Sequence, residues 1–425
     1  MKTRQLAKTN KQFVVNLKFI CLLLMFTPLL LLIHQTPSSL TQPFTVTPSL
    51  TPTNVIYTPS PTWTPTLSPS PIPTLTVPLT ERSPITITNA NQIGKFRSWQ
   101  VTGDGFTSLS FSPDNAYLIS TGNASEQTEA VRFWNIQGQD VTSTENLLED
   151  FPRTASAVNA RFSSDGQRFI AMVGMIGIWD VQNRELIGRF YQDGASMATF
   201  AGDNTSVLVA GGYQVALWNI AADIPTPNET TPSTADLDFD PFGVLITALQ
   251  TSEAVIDVAF DPISYQGFIL TESGRLYRYS NPEMRGTITV IPQEPQPDAP
   301  QPIYSSGNRL ALDTTNYRAA YAGSHNDVIV YDYLNNQTLA RFPLDVPVNC
   351  ITYNSTGELL VIGDWAVESV LHIVSTATWE TIAQINTGEI LSRCAFSPDG
   401  TLIATGSSEG ALVLWGIPSS SANGG

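Results

Sequence analysis

Histidine and cysteine are scarce in this chain, with three of each in 425 residues. The histidines are His34, His325 and His372, and the cysteines Cys21, Cys350 and Cys394. Scattered in this way they offer no metal-ligand spacing, and a general base within reach of a nucleophile has few candidates. A disulfide framework is not implied either. Cys350 and Cys394 are expected as two small buried apolar residues. Counted by strand alternation they fall one register apart in corresponding strands of neighbouring repeats, so their side chains should point to opposite pleats. Charge is also thin, at 14% of residues, and positive charge is the scarcer sign. With Lys2, Arg4, Lys8, Lys11, Lys18, Glu81 and Arg82 set aside, 15 basic and 36 acidic residues remain, a net of −21 over residues 83 to 425. Such a body repels phosphate backbones and anionic lipid headgroups. Phosphate-cradling loops and nucleic-acid signatures are absent, so no nucleic acid and no cofactor is expected.

What is present first is an apolar run, FICLLLMFTPLLLLI, from Phe19 to Ile33. It follows five basic residues and is not followed by a small-residue cleavage site, which favours an uncleaved signal anchor over a removed signal peptide. The positive flank places residues 1–18 in the cytoplasm, 19–34 in the membrane and the rest outside, as a single-pass protein of the cell membrane. Secretion after cleavage is the alternative. Residues 35–84 form a stalk, and its first 46 residues, 35 to 80, carry no charge and are dominated by Thr, Pro and Ser. They cannot pack a core and favour extended polyproline II, with a reach on the order of 140 Å. The segment resembles the Thr/Pro stalks of bacterial envelope proteins.

The remainder, 85–425, repeats. An alternating strand ending in a large apolar residue, then a polar turn, recurs as SLSFSPDN, NARFSSDG, MATFAGDN, DVAFDP, LALDTTN, CITYNSTG and RCAFSPDG. The anchors are Phe111, Phe162, Phe200, Phe260, Leu312, Tyr353 and Phe396. A second apolar strand and a third follow each time, the third strands being VRFWNI, GIWDV, VALWNI, LYRYS, VIVYDY, VLHIVS and LVLWGI. The SPDG-type turn followed later by Trp-Asp or Trp-Asn resembles the WD-repeat family over about four fifths of the chain. That resemblance implies an all-β fold, a seven-bladed β-propeller of four-stranded antiparallel blades. Because the chain ends on a third strand, GKFRSWQV at 94 to 101 is expected to supply the outer strand of the last blade. The family's Gly-His pair is missing from every repeat, so its buried hydrogen-bond network should be absent or replaced. Blade four is the weakest copy, with Arg278 or Ser280 near positions that are apolar or Trp elsewhere. Two proline-rich insertions, Ala221 to Asp240 and Arg285 to Pro302, are read as loops flanking it.

Gly406 to Gly410 spell G-x-S-x-G, but this stretch joins strand to strand, so Ser408 reads as a hairpin residue and not a nucleophile. Asp236, Asp238 and Asp240 alternate as in a calcium loop. Pro241 stands in place of its glycine and Thr247 in place of its bidentate Glu, so an acidic solvated loop is expected. By analogy with WD-repeat propellers, the turns between second and third strands and those entering each inner strand share one face that binds partners. There it would carry Asp104, Glu126, Glu129, Asp193, Glu253, Glu272, Glu389 and Glu409, and the partner-binding set Trp365, Tyr213, His325, Asp364 and Glu368. An acidic ring with a few aromatics suits a basic protein segment. The expected function is a membrane-anchored extracytoplasmic protein-protein interaction module, a scaffold or receptor-like head that is not an enzyme and touches the membrane only through its N-terminal segment. A small-ligand or carbohydrate-binding propeller is the alternative.

Overall fold

A computed structural model of the chain describes residues 82–101, 105–122, 130–136, 157–221, 243–280, 287–291 and 308–418, all in the compact unit Leu67–Gly425. The anchor, the stalk to residue 81, Asp104, Glu126, Glu129 and the triplet at 236 to 240 lie outside the described residues. Among the described residues no helix is long and apolar enough to cross a membrane.

Seven small antiparallel sheets follow one another in a ring, the first three strands of each in sequence order from the centre outward. Their inner strands, Phe106–Phe111, Asn159–Phe162, Met197–Phe200, Val255–Asp261, Leu310–Asp313, Val348–Tyr353 and Leu391–Phe396, define blades one to seven. Each contains the expected anchor. Alternation places one pleat of every blade against its predecessor and the other against its successor, so both faces of each sheet are covered and the second strands are buried nearly throughout. The ring closes as expected. Gly94–Gln100 pairs along the third strand of blade seven, from Gly94 opposite Gly416 to Gln100 opposite Ala411. A second clasp, Arg82–Ser83, pairs with Pro418 and Ile417. The polypeptide therefore enters at the lower end of that strand, opposite the turns between second and third strands.

The polar turn after each inner strand is a side-chain device. Ser112, Ser163 and Ser397 donate their hydroxyls to Asp114, Asp165 and Asp399 at 2.5–2.6 Å. Those carboxylates accept the backbone N–H two residues on, at Ala116, Gln167 and Thr401. Every one of the seven turns also holds one residue at positive φ, and Asn or Gly fills it in five, at 115, 166, 204, 357 and 400. In blades four and five the turn is one residue longer and Tyr265 and Tyr317 take that place.

The third strands share a further register position, the residue opposite the second residue of the second strand. It holds Trp134, Trp179, Trp218, Tyr279, Tyr331, Val374 and Trp415 in blades one to seven. Each side chain faces the preceding blade. Blade four is thus less degenerate than its sequence suggests. Tyr279 occupies the aromatic position, while Arg278 lies on the other pleat and donates to the Tyr333 carbonyl and Asn336. Part of the second insertion is also structured, because Thr287–Val290 is the outer strand of that blade. The first insertion leads from the third strand of blade three to its outer strand, Val244–Gln250.

The missing Gly-His network is replaced in part. Trp134 Nε1 donates to Ser120 Oγ and Trp415 Nε1 to Thr405 Oγ1, both at 2.8 Å, without a histidine. Trp218 donates instead to Gln192 Oε1.

Between inner strands a second rule holds the ring. At four of the seven boundaries the residue three before the anchor reaches the residue two before the anchor of the next blade. Ser108 exchanges hydrogen bonds with the backbone of Ala160, Asn159 Oδ1 accepts from Ala198 N–H, and Asp257 Oδ2 accepts from Leu310 N–H. In blade six the same pair of positions holds Cys350 and Cys394, and they form a disulfide with Cα atoms 5.6 Å apart. This corrects the reading of two unbridged thiols. Strand alternation orders side chains within one sheet, whereas these cysteines belong to two sheets whose inner strands are offset by one residue, so the register difference that seemed to separate them is what brings them together.

Candidate interaction face

The turns between second and third strands and the segments entering the inner strands do share one face, stitched by backbone hydrogen bonds. Thr251 N–H donates to Tyr213 O, Leu344 N–H to Asn326 O, Trp365 N–H to Pro347 O and Ser408 N–H to Ile390 O, at 2.8–2.9 Å. A side chain borne on such a turn is held on a fixed backbone, the support a docking surface needs.

Of the five residues singled out, two present rings to solvent: Tyr213 is 57% exposed and Trp365 53%. Val367, beside Trp365, is 81% exposed. Glu368 lies at the rim and accepts from Asn386 Nδ2 at 3.2 Å. His325 is half-buried, its Nδ1 2.9 Å from Ser324 Oγ. Asp364 is buried and organises its own turn, accepting Val370 N–H at 2.8 Å while its other oxygen lies 3.4 Å from His372 Nε2. Glu253 is likewise engaged, by Thr271, Ser273 and Arg275. Ser408 is exposed in a hairpin between Leu402–Ser407 and Ala411–Pro418, with its hydroxyl directed at the Ile390 carbonyl.

Two features were not foreseen. The inner strands carry basic residues into a molecule that is acidic overall. Arg161 lies 3.7 Å from the buried Asp257, and Arg309 and Arg393 are almost fully buried nearby. Arg309 bonds the Val348 carbonyl and Asn349 of blade six, and Arg393 the Thr107 carbonyl of blade one. Burial lowers Arg309 to about 9, with Arg393 pushing the same way, and lowers Arg393 to about 10. It also raises Asp257, against the opposing pull of Arg161. These are clamps between blades, not exposed ligands.

The other feature is a cleft of about 410 Å³ between the outer strand of blade five and the face of blade six, a volume within the range of ligand-binding sites. Ile362 and Val374 lie beneath it, with Phe342 and Leu344 along the blade-five side. Its rim is polar: Arg341, Asp345, His372, Thr381 and Gln384. Arg341 is paired with Asp327 and His372 lies between Asp364 and Gln384. The signal was present in the third strands, because VLHIVS is the only one of the seven without an aromatic residue. It becomes readable only when strand register shows which residues correspond.

Comparison with protein families matches residues 381–416 to the WD domain, G-beta repeat. The matched stretch runs from the outer strand of blade six through the third strand of blade seven. It includes the Ser397–Asp399 turn and the Trp415–Thr405 hydrogen bond. No curated protein matches the chain. With one matched repeat, and seven small sheets closed into a ring by an N-terminal strand, this chain is a seven-bladed β-propeller similar to the WD-repeat family.

Proposed function

We propose that the protein is a membrane-anchored, extracytoplasmic interaction module whose propeller binds a protein partner and carries no catalytic activity of its own. WD-repeat propellers are, in general, scaffolds for protein partners. The observation that supports the interaction reading here is Trp365, a large apolar ring on a backbone-pinned turn, with Val367 exposed beside it. Aromatic side chains of this kind supply the buried area that dominates interfaces. Asp345, Glu368 and Glu409 are exposed on the same face and favour a basic partner by steering its approach. The first described strand, Arg82–Ser83, pairs at the end of the blade-seven third strand opposite these turns.

The extracytoplasmic reading draws on the apolar N-terminal run, the Thr/Pro stalk and Cys350–Cys394. Disulfides persist where thiols are kept oxidised and are rare in the cytosol of mesophiles. Two measurements test the proposal. Full-length protein from intact cells is treated with a thiol-alkylating reagent before and after reduction, and Cys350 and Cys394 should label only after reduction; labelling beforehand would place the ring in a reducing compartment. Partner capture by wild type and Trp365→Ala is then compared at low and moderate salt. Capture lost in the variant and weakened by salt is expected, and capture indifferent to both would move the binding surface elsewhere.

A further inference from the structure

We propose that the cleft between blades five and six is a receptor for an aromatic side chain, tryptophan above all, carried on a segment of the partner protein. The proposal deepens the interaction reading and rests on it. Six of seven blades place Trp or Tyr at one register position, facing the preceding blade; blade six places Val374 there. In blades one and seven the indole N–H at that position is received by Ser120 or Thr405 on the second strand. The corresponding residue of blade six is Ile362, three positions after the start of its second strand as Ser120 and Thr405 are in theirs. Both halves of the aromatic and hydroxyl pair are therefore replaced by aliphatic groups in the same blade, and both line the cleft. At this boundary the two positions hold aliphatic side chains buried beneath the cleft, and no ring of blade six lies between them and its rim.

Chemistry at the cleft fits a ring with a polar edge better than a sugar or an ion. Its floor is aliphatic and aromatic, which suits a π-face, and the acceptors sit at the rim, where Thr381 and Gln384 are exposed on the outer strand. Trp379 packs against Phe342 from below, with ring centroids 6.5 Å apart, and occupies the lower part of the same boundary. At the upper end the cleft includes Val346, next to Pro347, whose carbonyl accepts the Trp365 N–H. A single extended segment laid over this boundary would place one aromatic side chain in the cleft and run on across Trp365. Proteins commonly bind segments in this way, with one buried anchor and a wider contact that excludes water.

The test uses the full chain in detergent and N-acetyl-tryptophanamide as a stand-in for a peptide-borne indole, with N-acetyl-leucinamide and free tryptophan as controls, read by ligand-observed NMR titration. Saturable binding of the tryptophan amide is expected, weakened at least tenfold by Val374→Trp, which puts an indole at the floor of the cleft. Should Val374→Trp fail to give the wild-type circular dichroism spectrum, Val374→Phe serves with the same expectation. No saturable binding, or binding that survives both cleft variants, overturns the proposal. Free tryptophan binding tenfold more tightly than the amide would overturn it too, by making the occupant a small molecule. Because partner capture through Trp365 is read separately, an empty cleft with capture intact removes this proposal and leaves the interaction face standing.

Discussion

Blade six meets its two neighbours in opposite ways. Toward blade seven it is closed: Cys350 is bonded covalently to Cys394, Asn349 donates to the Leu391 carbonyl, Thr352 Oγ1 accepts Phe396 N–H, and Trp415 fills the space between the sheets. Toward blade five the inner strands are tied by Arg309, but further out Val374 stands where an aromatic belongs and a cleft opens. A propeller needs each boundary sealed near the channel, where inner strands crowd, and tolerates an opening nearer the rim. The difference teaches that departures from the repeat pattern are not uniform decay. In this blade one departure adds a crosslink and another leaves a pocket.

The largest expected effect bears on the closed side. Replacing Cys350 and Cys394 together by serine should cost about 4 kcal/mol, since the bridge closes a loop of sequence separation 44 that spans most of blade six. Guanidinium unfolding of the double variant against wild type measures it. A difference below about 1 kcal/mol would mean that hydrogen bonds alone hold this boundary and the bridge is a consequence of the compartment.

A middle-sized effect sharpens the comparison at the aromatic position. Thr405→Val leaves the buried Trp415 N–H without its acceptor and should cost about 1–3 kcal/mol. Blade six shows the other solution, in which Ile362 and Val374 remove donor and acceptor together. A double-mutant cycle with Trp415→Phe and Thr405→Val should therefore show the pair costing less than the sum of its members. Strict additivity would mean that the hydrogen bond contributes nothing beyond packing.

Much of the ring was legible because its local chemistry repeats. The seven anchors, the Ser-x-Asp turns and the closure by residues 94 to 100 follow from alternation and from a chain that ends one strand short. Where sequence reasoning failed, it applied a local rule to a non-local relation. Pleat counting is valid along Val348–Tyr353 and along Leu391–Phe396 but not between them, so the disulfide was missed. Thr287–Val290 was hidden by the prolines around it, although TITV is itself a good strand sequence. Asp364 looked like a surface acid because it sits beside an exposed Trp. Its side chain turns inward to accept the Val370 N–H, a role set by turn geometry and not by composition.

The smallest expected effect on stability is at the interaction face, and it separates binding from folding. Trp365→Ala removes a ring that is 53% exposed, so stability should change by less than about 0.5 kcal/mol. If that ring anchors a partner, the same substitution should weaken binding by about 2 kcal/mol, roughly thirtyfold. Thermal unfolding and partner titration on the same preparation give both numbers. A stability loss above 2 kcal/mol would show that Trp365 braces the segment around Pro347, and its exposure would then be a by-product of packing. A stable variant with unimpaired binding would leave the boundary between blades five and six as the surface to probe.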